Sequence, residues 1–363
     1  WSEHPSADPE HGAHYVNRVL TALQSNPAIW NHTLVIVNFD ENDGYFDHVL
    51  PPYPEASTPK EYSGSTPIGL GARVPCTLIS PWTRGGWVNS EVFDHTSVIR
   101  FLETWTAYLG KPARSTTITP WRRAICGDLT SAIDFAHPVL GKPSLPNTAA
   151  LIAIANAGGA IAPKVAAKDK WNYPALKPRP LSFQVNGSFT EDRHTGVVKA
   201  HLSLKGGPRG KAVSLQAFPD AHLPFANTPY TVGANAPRTH RWDTGRTRGK
   251  YAFSIYGPDG FVRSHAGKVI PAGRTGVAVP RVGIGLDIAA QKVRFTLSND
   301  GDRATTYTLA AHDYVGGTKA VRVGAGKAVV VTWPTRNGYY DVVITRTGDR
   351  LWRHRYAGRV ARR

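Results

Sequence analysis

Residues 33–52, TLVIVNFDENDGYFDHVLPP, place a β-branched apolar run directly before a cluster of acids. Leu34 to Val37 is long enough for one buried strand, and Gly44 and the Pro51-Pro52 pair punctuate the residues after it. Asp40, Glu41, Asp43 and Asp47 fall within eight residues and are closed by His48. Carboxylates this close repel one another, so burying them together requires a compensating cation. In open α/β sheets the chemistry sits just beyond the carboxyl ends of strands. One divalent metal ion held by Asp40 and Glu41 is the economical reading, and a solvated acidic loop is the bland one.

Before this stretch, an amphipathic helix is expected from about residue 12 to 24, with Tyr15, Val16, Val19, Leu20 and Leu23 on one face. After it, a second short strand reads at 76–80. A helix is then expected from about 96 to 109, its apolar stripe formed by Val98, Phe101, Leu102 and Trp105, with Asp94 or Thr96 as its cap. Alternating strands and helices make residues 1–136 part of a layered α/β domain. Residues 137–180 turn rich in Pro, Ala, Gly and Lys, as a linker or a surface strap.

Beyond 180 the period changes to two. Val198, Ala200, Leu202 and Leu204 alternate with polar residues, as do Val293, Phe295 and Leu297, which predicts β-sandwiches. Val232-Gly-Ala precedes Trp242 as Val323-Gly-Ala precedes Trp333, and Ala266-Gly-Lys-Val269 answers Ala357-Gly-Arg-Val360. A small β-domain has been duplicated, giving expected domains at 181–271 and 280–361.

The net charge of +17 is uneven. Residues 1–150 hold 10 Lys and Arg against 14 Asp and Glu, and the rest hold 33 against 12. A basic carboxy-terminal part suits an anionic membrane surface, or only a well-solvated exterior. No recognisable nucleic-acid module accompanies the charge, so no nucleic-acid partner is expected. No apolar stretch reaches membrane-spanning length, so no transmembrane segment is expected. The two cysteines, Cys76 and Cys126, do not make a disulfide framework.

The DENDGYFDHV block resembles the signature of the bacterial phosphoesterase family that includes the phosphocholine-type phospholipases C, non-haemolytic and haemolytic, and acid phosphatases. Blocks in the same order support the resemblance: WSEHP at 1–5, GLGARVPCTLISPWTRGGWV at 69–88, VFDHTSVIRFLETW at 92–105 and TPWRRAICGDLTSAIDF at 119–135. The tandem repeats resemble the paired carboxy-terminal domains of bacterial phospholipases C. Near relatives often carry two glycines where this chain has Asp43-Gly44, and the Asp-Gly form is closer to the phospholipases.

The resemblance implies an alkaline-phosphatase-like α/β domain followed by two duplicated β-sandwich domains, in a secreted or periplasmic protein. It implies a phospholipase C that hydrolyses phosphatidylcholine-type phospholipids to diacylglycerol and phosphocholine. Asp40 and Glu41 would be metal ligands. His4 of WSEHP would contact the phosphoryl group or protonate the leaving oxygen, and His95 would reach the rim of the site. Asp43 and His48 would orient ligands or bind the choline cation, unless they are turn residues. The chain starts at Trp1 and lacks methionine. The family's other metal ligands and its hydroxyl nucleophile are not recognisable in it, so it reads as the carboxy-terminal portion of a longer enzyme, inactive alone. The alternatives are an acid phosphatase of the same family and a non-catalytic basic fragment that binds membrane or glycan.

Overall fold

The structure is a computed structural model that describes residues 3–4, 7–157, 176–222 and 226–361. Trp1, Ser2 and Pro5 of WSEHP, and Pro163 and Pro174 of the expected strap, lie outside the described residues. The chain divides into two units. One comprises Trp1–Val49, Ala72–Asn89 and Thr130–Arg179; the other comprises Leu50–Gly71, Ser90–Leu129 and Pro180–Arg363.

In the first unit, Pro9 opens α1 (Pro9–Gln24) at a position where its missing N–H costs nothing. Asn26 starts the short α2 (Pro27–Trp30) by accepting from the Ala28 amide at 3.0 Å. Along the chain the strands then run β1 (Val35–Asn38), β2 (Tyr62–Ser63), β3 (Thr66–Pro67), β4 (Cys76–Ile79) and β5 (Trp87–Val88), of which β2 and β3 belong to the second unit. β1 and β4 pair antiparallel, with Val35 opposite Ile79 and Asn38 opposite Cys76. The segment after residue 137 lies along α1. His14 Nδ1 is 2.8 Å from Thr148 Oγ1, and Asn17 donates to the Pro146 carbonyl at 2.9 Å. Both cysteines are free.

The second unit contains the β2–β3 hairpin, α3 (His95–Tyr108) and α4 (Pro120–Ile125), while α5 (Ala149–Asn156) and β6 (Lys177–Pro178) belong to the first. The apolar stripe expected on α3 is not buried: Leu102 is 46% and Trp105 53% exposed. Polar contacts anchor α3 instead. Arg100 donates to the Cys126 carbonyl at 2.6 Å, and Arg123 grips Glu103 with both terminal nitrogens at 2.8 Å.

The two-residue period beyond 180 produces fourteen strands among the described residues. The first copy runs β7 (Phe183–Asp192), β8 (Val197–Gly206), β9 (Ala212–Ala221), β10 (Thr228–Gly233), β11 (Arg238–Asp243), β12 (Lys250–Tyr256) and β13 (Val262–Lys268). The second runs β14 (Pro280–Asp287), β15 (Lys292–Asn299), β16 (Thr305–Asp313), β17 (Thr318–Val323), β18 (Lys327–Trp333), β19 (Tyr339–Arg346) and β20 (Asp349–Arg359). Each copy contributes a three-stranded sheet, β11-β8-β7 or β14-β15-β18. The remaining strands form one eight-stranded sheet, ordered β10-β9-β12-β13-β20-β19-β16-β17. Side chains from both sheets fill each core, with Val198, Leu215 and Phe253 fully buried in the first and Val293, Leu309 and Trp333 in the second. Burying such a side chain contributes about 1.5–3 kcal/mol.

The two copies therefore share a sheet rather than standing apart. The seam is the antiparallel pair β13–β20, where Ser264 faces Arg355. These two positions are 91 residues apart, the same interval as Trp242 to Trp333, so the pairing sits on an internal twofold. Arg263, 1% exposed, lies across the seam with no carboxylate partner among the described residues. Its guanidinium donates to the Gly187 carbonyl (2.9 Å), the Val262 carbonyl (2.8 Å), the Ala357 carbonyl (2.7 Å) and the Tyr340 hydroxyl (3.0 Å). Beside it His265 and His354 meet edge to face at 4.6 Å.

Truncating Arg263 leaves several buried acceptors unpaired and opens a cavity. Arg263→Ala should destabilise the protein by about 3 kcal/mol, measured by urea unfolding, and a loss within experimental error would remove it as the seam's fastener.

Burial pushes His265 well below the usual histidine range and His354 down to about 3, so both stay neutral in the native state. The unfolded chain takes up protons below pH 6.5, so stability is full above that value and falls as pH drops from 6.5 toward 3. Glu191 works the other way: burial raises it to about 7, and its contribution is lost as pH rises from 4.5 to about 7. Two histidines outweigh one carboxyl. The urea midpoint should fall between pH 6.5 and 4.5, and His354→Phe should flatten that fall; an equal slope in the variant would clear the histidines.

Candidate functional site

β1 delivers the acidic loop. Its last rung is the Phe39 amide donating to the Pro75 carbonyl at 3.1 Å, and Asp40 comes immediately after. Asp40 and Glu41 are both exposed, and Asp40 Oδ1 accepts from the Glu41 amide at 3.1 Å. Asn42 to Tyr45 then forms a tight turn, with the Tyr45 amide donating to the Asn42 carbonyl at 3.0 Å. Asp43 (φ 55°) and Gly44 (φ 74°) both adopt left-handed backbone, as a type I′ turn demands at its central positions. The Asn42 side chain reinforces the turn by donating to the Tyr45 carbonyl at 2.7 Å.

The turn presents Tyr45 and Phe46, 77% and 105% exposed. Asp47 then locks the loop. Its carboxylate accepts from Arg73 Nε and Nη2, each at 2.8 Å, from the Arg73 amide at 2.9 Å and from the Val49 amide at 3.1 Å. The Arg73 side chain holds the Asp47 carboxyl far below the usual carboxylate range. His48 points outward, its side chain 89% exposed and its Nδ1 3.9 Å from Asp47.

Among the described residues Asp40 and Glu41 form no ion pair, whereas Asp47 is saturated. Asp40, Glu41, Asp43 and His48 thus share one loop. His4 lies in the same unit, exposed, its carbonyl accepting from the Ala7 amide at 2.7 Å. Among the described residues no group of three or more His, Cys, Asp or Glu side chains is gathered as a metal cage. Asp40 and Glu41 offer hard oxygen donors free of competing cations, which fits part of a divalent-metal ligand set.

His95 belongs to the other unit, exposed in the first turn of α3. Its neighbour Asp94 is structural. Asp94 accepts from Thr96 Oγ1 at 2.6 Å and from Arg122 Nη1 at 2.8 Å, and its amide donates to Ser97 Oγ at 3.1 Å. Arg122 also binds Glu61, which is 1% exposed, at 3.0 Å. Sequence reasoning weighs a phosphate contact for Arg73 and Arg84 against a structural ion pair; Arg73 makes the ion pair, with Asp47, whereas Arg84 donates to the carbonyls of residues 139 to 141 at 3.2–3.3 Å. It misses the Arg122–Glu61–Asp94 network, whose only signal is an acid just before β2 and the first arginine of WRRAIC.

Residues 1–106 match the phosphoesterase family, and residues 179–268 and 280–359 each match the bacterial phospholipase C C-terminal domain. The chain is 34% identical to the non-hemolytic phospholipase C of Burkholderia pseudomallei over 99% of its length and 54% of that protein's. It is 36% identical to the non-hemolytic phospholipase C of Pseudomonas aeruginosa, and 31% identical to the hemolytic phospholipase C of the same organism. These matches also cover 99% of this chain, and 55% and 54% of those proteins. The chain spans about half the length of the curated relatives it matches. By these matches the chain combines a region similar to the phosphoesterase family with a tandem pair of regions similar to the bacterial phospholipase C C-terminal domain.

Proposed function

We propose that this chain is the carboxy-terminal portion of a phospholipase C that cleaves phosphatidylcholine-type phospholipids to diacylglycerol and phosphocholine. The observation that carries the reading is similarity to proteins named phospholipase C, continuous through the acidic loop and both repeats. On this reading residues 1–136 are part of an alkaline-phosphatase-like α/β domain, 137–180 are a strap, and 181–271 and 280–361 are the β-sandwich domains. The protein works outside the cytoplasm, at an anionic membrane surface. Among the described residues no helix is long and apolar enough to cross a membrane.

Asp40 and Glu41 hold one divalent ion, with further ligands supplied from outside this chain. Such an ion, if held there, would supply withdrawal of charge from the phosphoryl oxygens. A hydroxyl from outside this chain attacks phosphorus in line; the new O–P bond forms as the bond to the diacylglycerol oxygen breaks. His4 gives that departing oxygen its proton. Water then cleaves the phosphoryl-enzyme to release phosphocholine. Asp43 and His48, on the turn and beyond it, face the headgroup. Asp47 acts indirectly by fastening the loop to Arg73, which sets where Asp40 and Glu41 point.

The full-length protein should release phosphocholine from phosphatidylcholine, and Asp40→Asn should abolish that release and weaken metal binding in calorimetry. Turnover of an aryl phosphate monoester without lipid cleavage would make the protein a phosphatase, and no turnover of either would refute an enzymatic role.

Asp47→Asn removes the loop's fastener without removing a ligand. It should weaken metal binding by about 10–100-fold while leaving the global unfolding free energy within about 1 kcal/mol. Unaltered metal affinity would sink the positioning role of Asp47.

A further inference from the structure

The eight-stranded sheet has an outer face that its two copies treat differently. In the first copy, the outward residues of β9 are covered. Ser214 donates to the Tyr53 carbonyl at 3.2 Å and Gln216 to the Pro51 carbonyl at 2.6 Å. On the neighbouring edge strand β10, the Thr231 amide donates to Glu55 at 2.6 Å. From β13 through β20, β19, β16 and β17 the same face carries small side chains. Register places Ala266, Arg353, Thr345, Thr308 and Ala320 in one row across these five strands.

The charge on this open face is predominantly positive. Its outward positions, alternate with the buried ones, include Lys250, Lys268, Arg353, Arg355 and Arg322. Two acids on these strands are consumed by arginines: Asp341 by Arg355 in a bidentate pair at 2.9 and 2.5 Å, and Asp349 by Arg346 at 2.6 and 3.1 Å. A third, Asp313, ends β16 and accepts from the Tyr314 amide at 2.7 Å. Lys250 stands directly opposite Lys268, a like-charge cross-strand pair that disfavours the sheet unless an anion lies over it. Lys250, Lys268, Arg322 and Arg353 form no ion pair with any described residue. Leu351, two positions before Arg353 on β20, is 46% exposed.

The three-stranded sheets differ from this. In the second copy Arg294 is paired with Asp287 at 2.5 Å and Arg281 with Asp300 at 3.4 Å. In the first, Lys199 stands directly opposite Arg241, also a like-charge pair, with Asp192 and Asp243 two residues further along the neighbouring strands. Lys199, Lys205, Arg241, Lys292 and Lys327 of these sheets also form no ion pair with any described residue; what sets the open half of the eight-stranded sheet apart is that its cations share one face five strands wide.

We propose that this open face, centred on Arg353 and bounded by Lys268 and Arg322, docks on the anionic phospholipid headgroups of a bilayer. The inference rests on the phospholipase reading for its biological setting and specifies which surface meets the lipid. A wide sheet face of alanine, serine and threonine set with cations lies flat against headgroups, with its hydroxyls and guanidinium groups free for phosphate oxygens. Among the described residues it has no row of aromatic rings on which the bases of a single-stranded nucleic acid would stack.

The test is co-sedimentation of the 363-residue chain with phosphatidylcholine vesicles, with and without about a third phosphatidylglycerol. The chain should bind the anionic vesicles and release them as salt is raised. A triple variant, Lys268→Gln, Arg322→Gln and Arg353→Gln, should lose about a hundredfold in affinity. A matched triple on the three-stranded sheets, Lys199→Gln, Arg241→Gln and Arg294→Gln, should lose no more than about tenfold from its lower net charge. Unfolding midpoints confirm that both variants fold.

Equal losses in the two triples, no loss in the first, or no preference of the chain for anionic vesicles would each overturn the proposal. So would a triple variant that loses binding to duplex DNA but keeps it to vesicles. Hydrolysis of a soluble short-chain phosphatidylcholine by the full-length protein tests the phospholipase reading apart from this one. Absence of that hydrolysis with face-specific vesicle binding intact would remove the enzyme and leave the docking face.

Discussion

The β13–β20 pairing is the constraint on which the carboxy-terminal half depends. Two copies of a module, each with an edge strand to cover, meet edge to edge, and each satisfies the other's unpaired N–H and C=O groups. Because the copies are related by sequence, the junction is self-complementary, as in a symmetric dimer, but the chain connection fixes the stoichiometry. Arg263 extends the logic into the core. A buried guanidinium normally needs a carboxylate, and this one is satisfied by carbonyls from β7, β13 and β20 and a hydroxyl from β19. Strands from both copies must be in place before those acceptors converge, so its hydrogen bonding is a signature of the assembled pair.

Much of this was legible in the sequence. Alternation at Val198 to Leu204 and at Val293 to Leu297 placed strands correctly, because a half-buried strand must present every second residue to the core. The matched Trp242 and Trp333 announced the duplication, and both are buried. That the copies would share a sheet was not legible. Edge pairing is made by backbone groups every strand possesses, and a run such as VRSHAGK carries no mark of what lies beside it. Nor does the sequence distinguish Arg263 from an ordinary surface residue.

The acidic loop divides similarly. A strand ending at residue 38 and a turn at Asp43-Gly44 arise from local chemistry, since only the turn explains two successive left-handed residues. The allocation of the acids does not arise from local chemistry. Asp40, Glu41, Asp43 and Asp47 read alike until Arg73, remote in sequence, claims the last of them. The helix stripes mislead in the opposite sense. Leu102 and Trp105 have the spacing of a buried face yet stay exposed, because periodicity reports which residues share a side and not whether anything covers it.

One rule connects the two halves. In both, several structural carboxylates are met by an arginine with close geometry: Asp47 with Arg73, Asp94 and Glu61 with Arg122, Glu103 with Arg123, Asp341 with Arg355. Such pairs are satisfied and offer little to a ligand. The groups left over are informative because leaving them unpaired stabilises nothing within the fold. Asp40 and Glu41 at the end of β1 are leftover anions, suited to a cation. Lys268, Arg322 and Arg353 on the open sheet are leftover cations, suited to anionic headgroups. On the proposed reading, opposite charges left unspent in the two places would divide the labour between holding a metal near the phosphoryl group and holding the protein near the lipid that carries it.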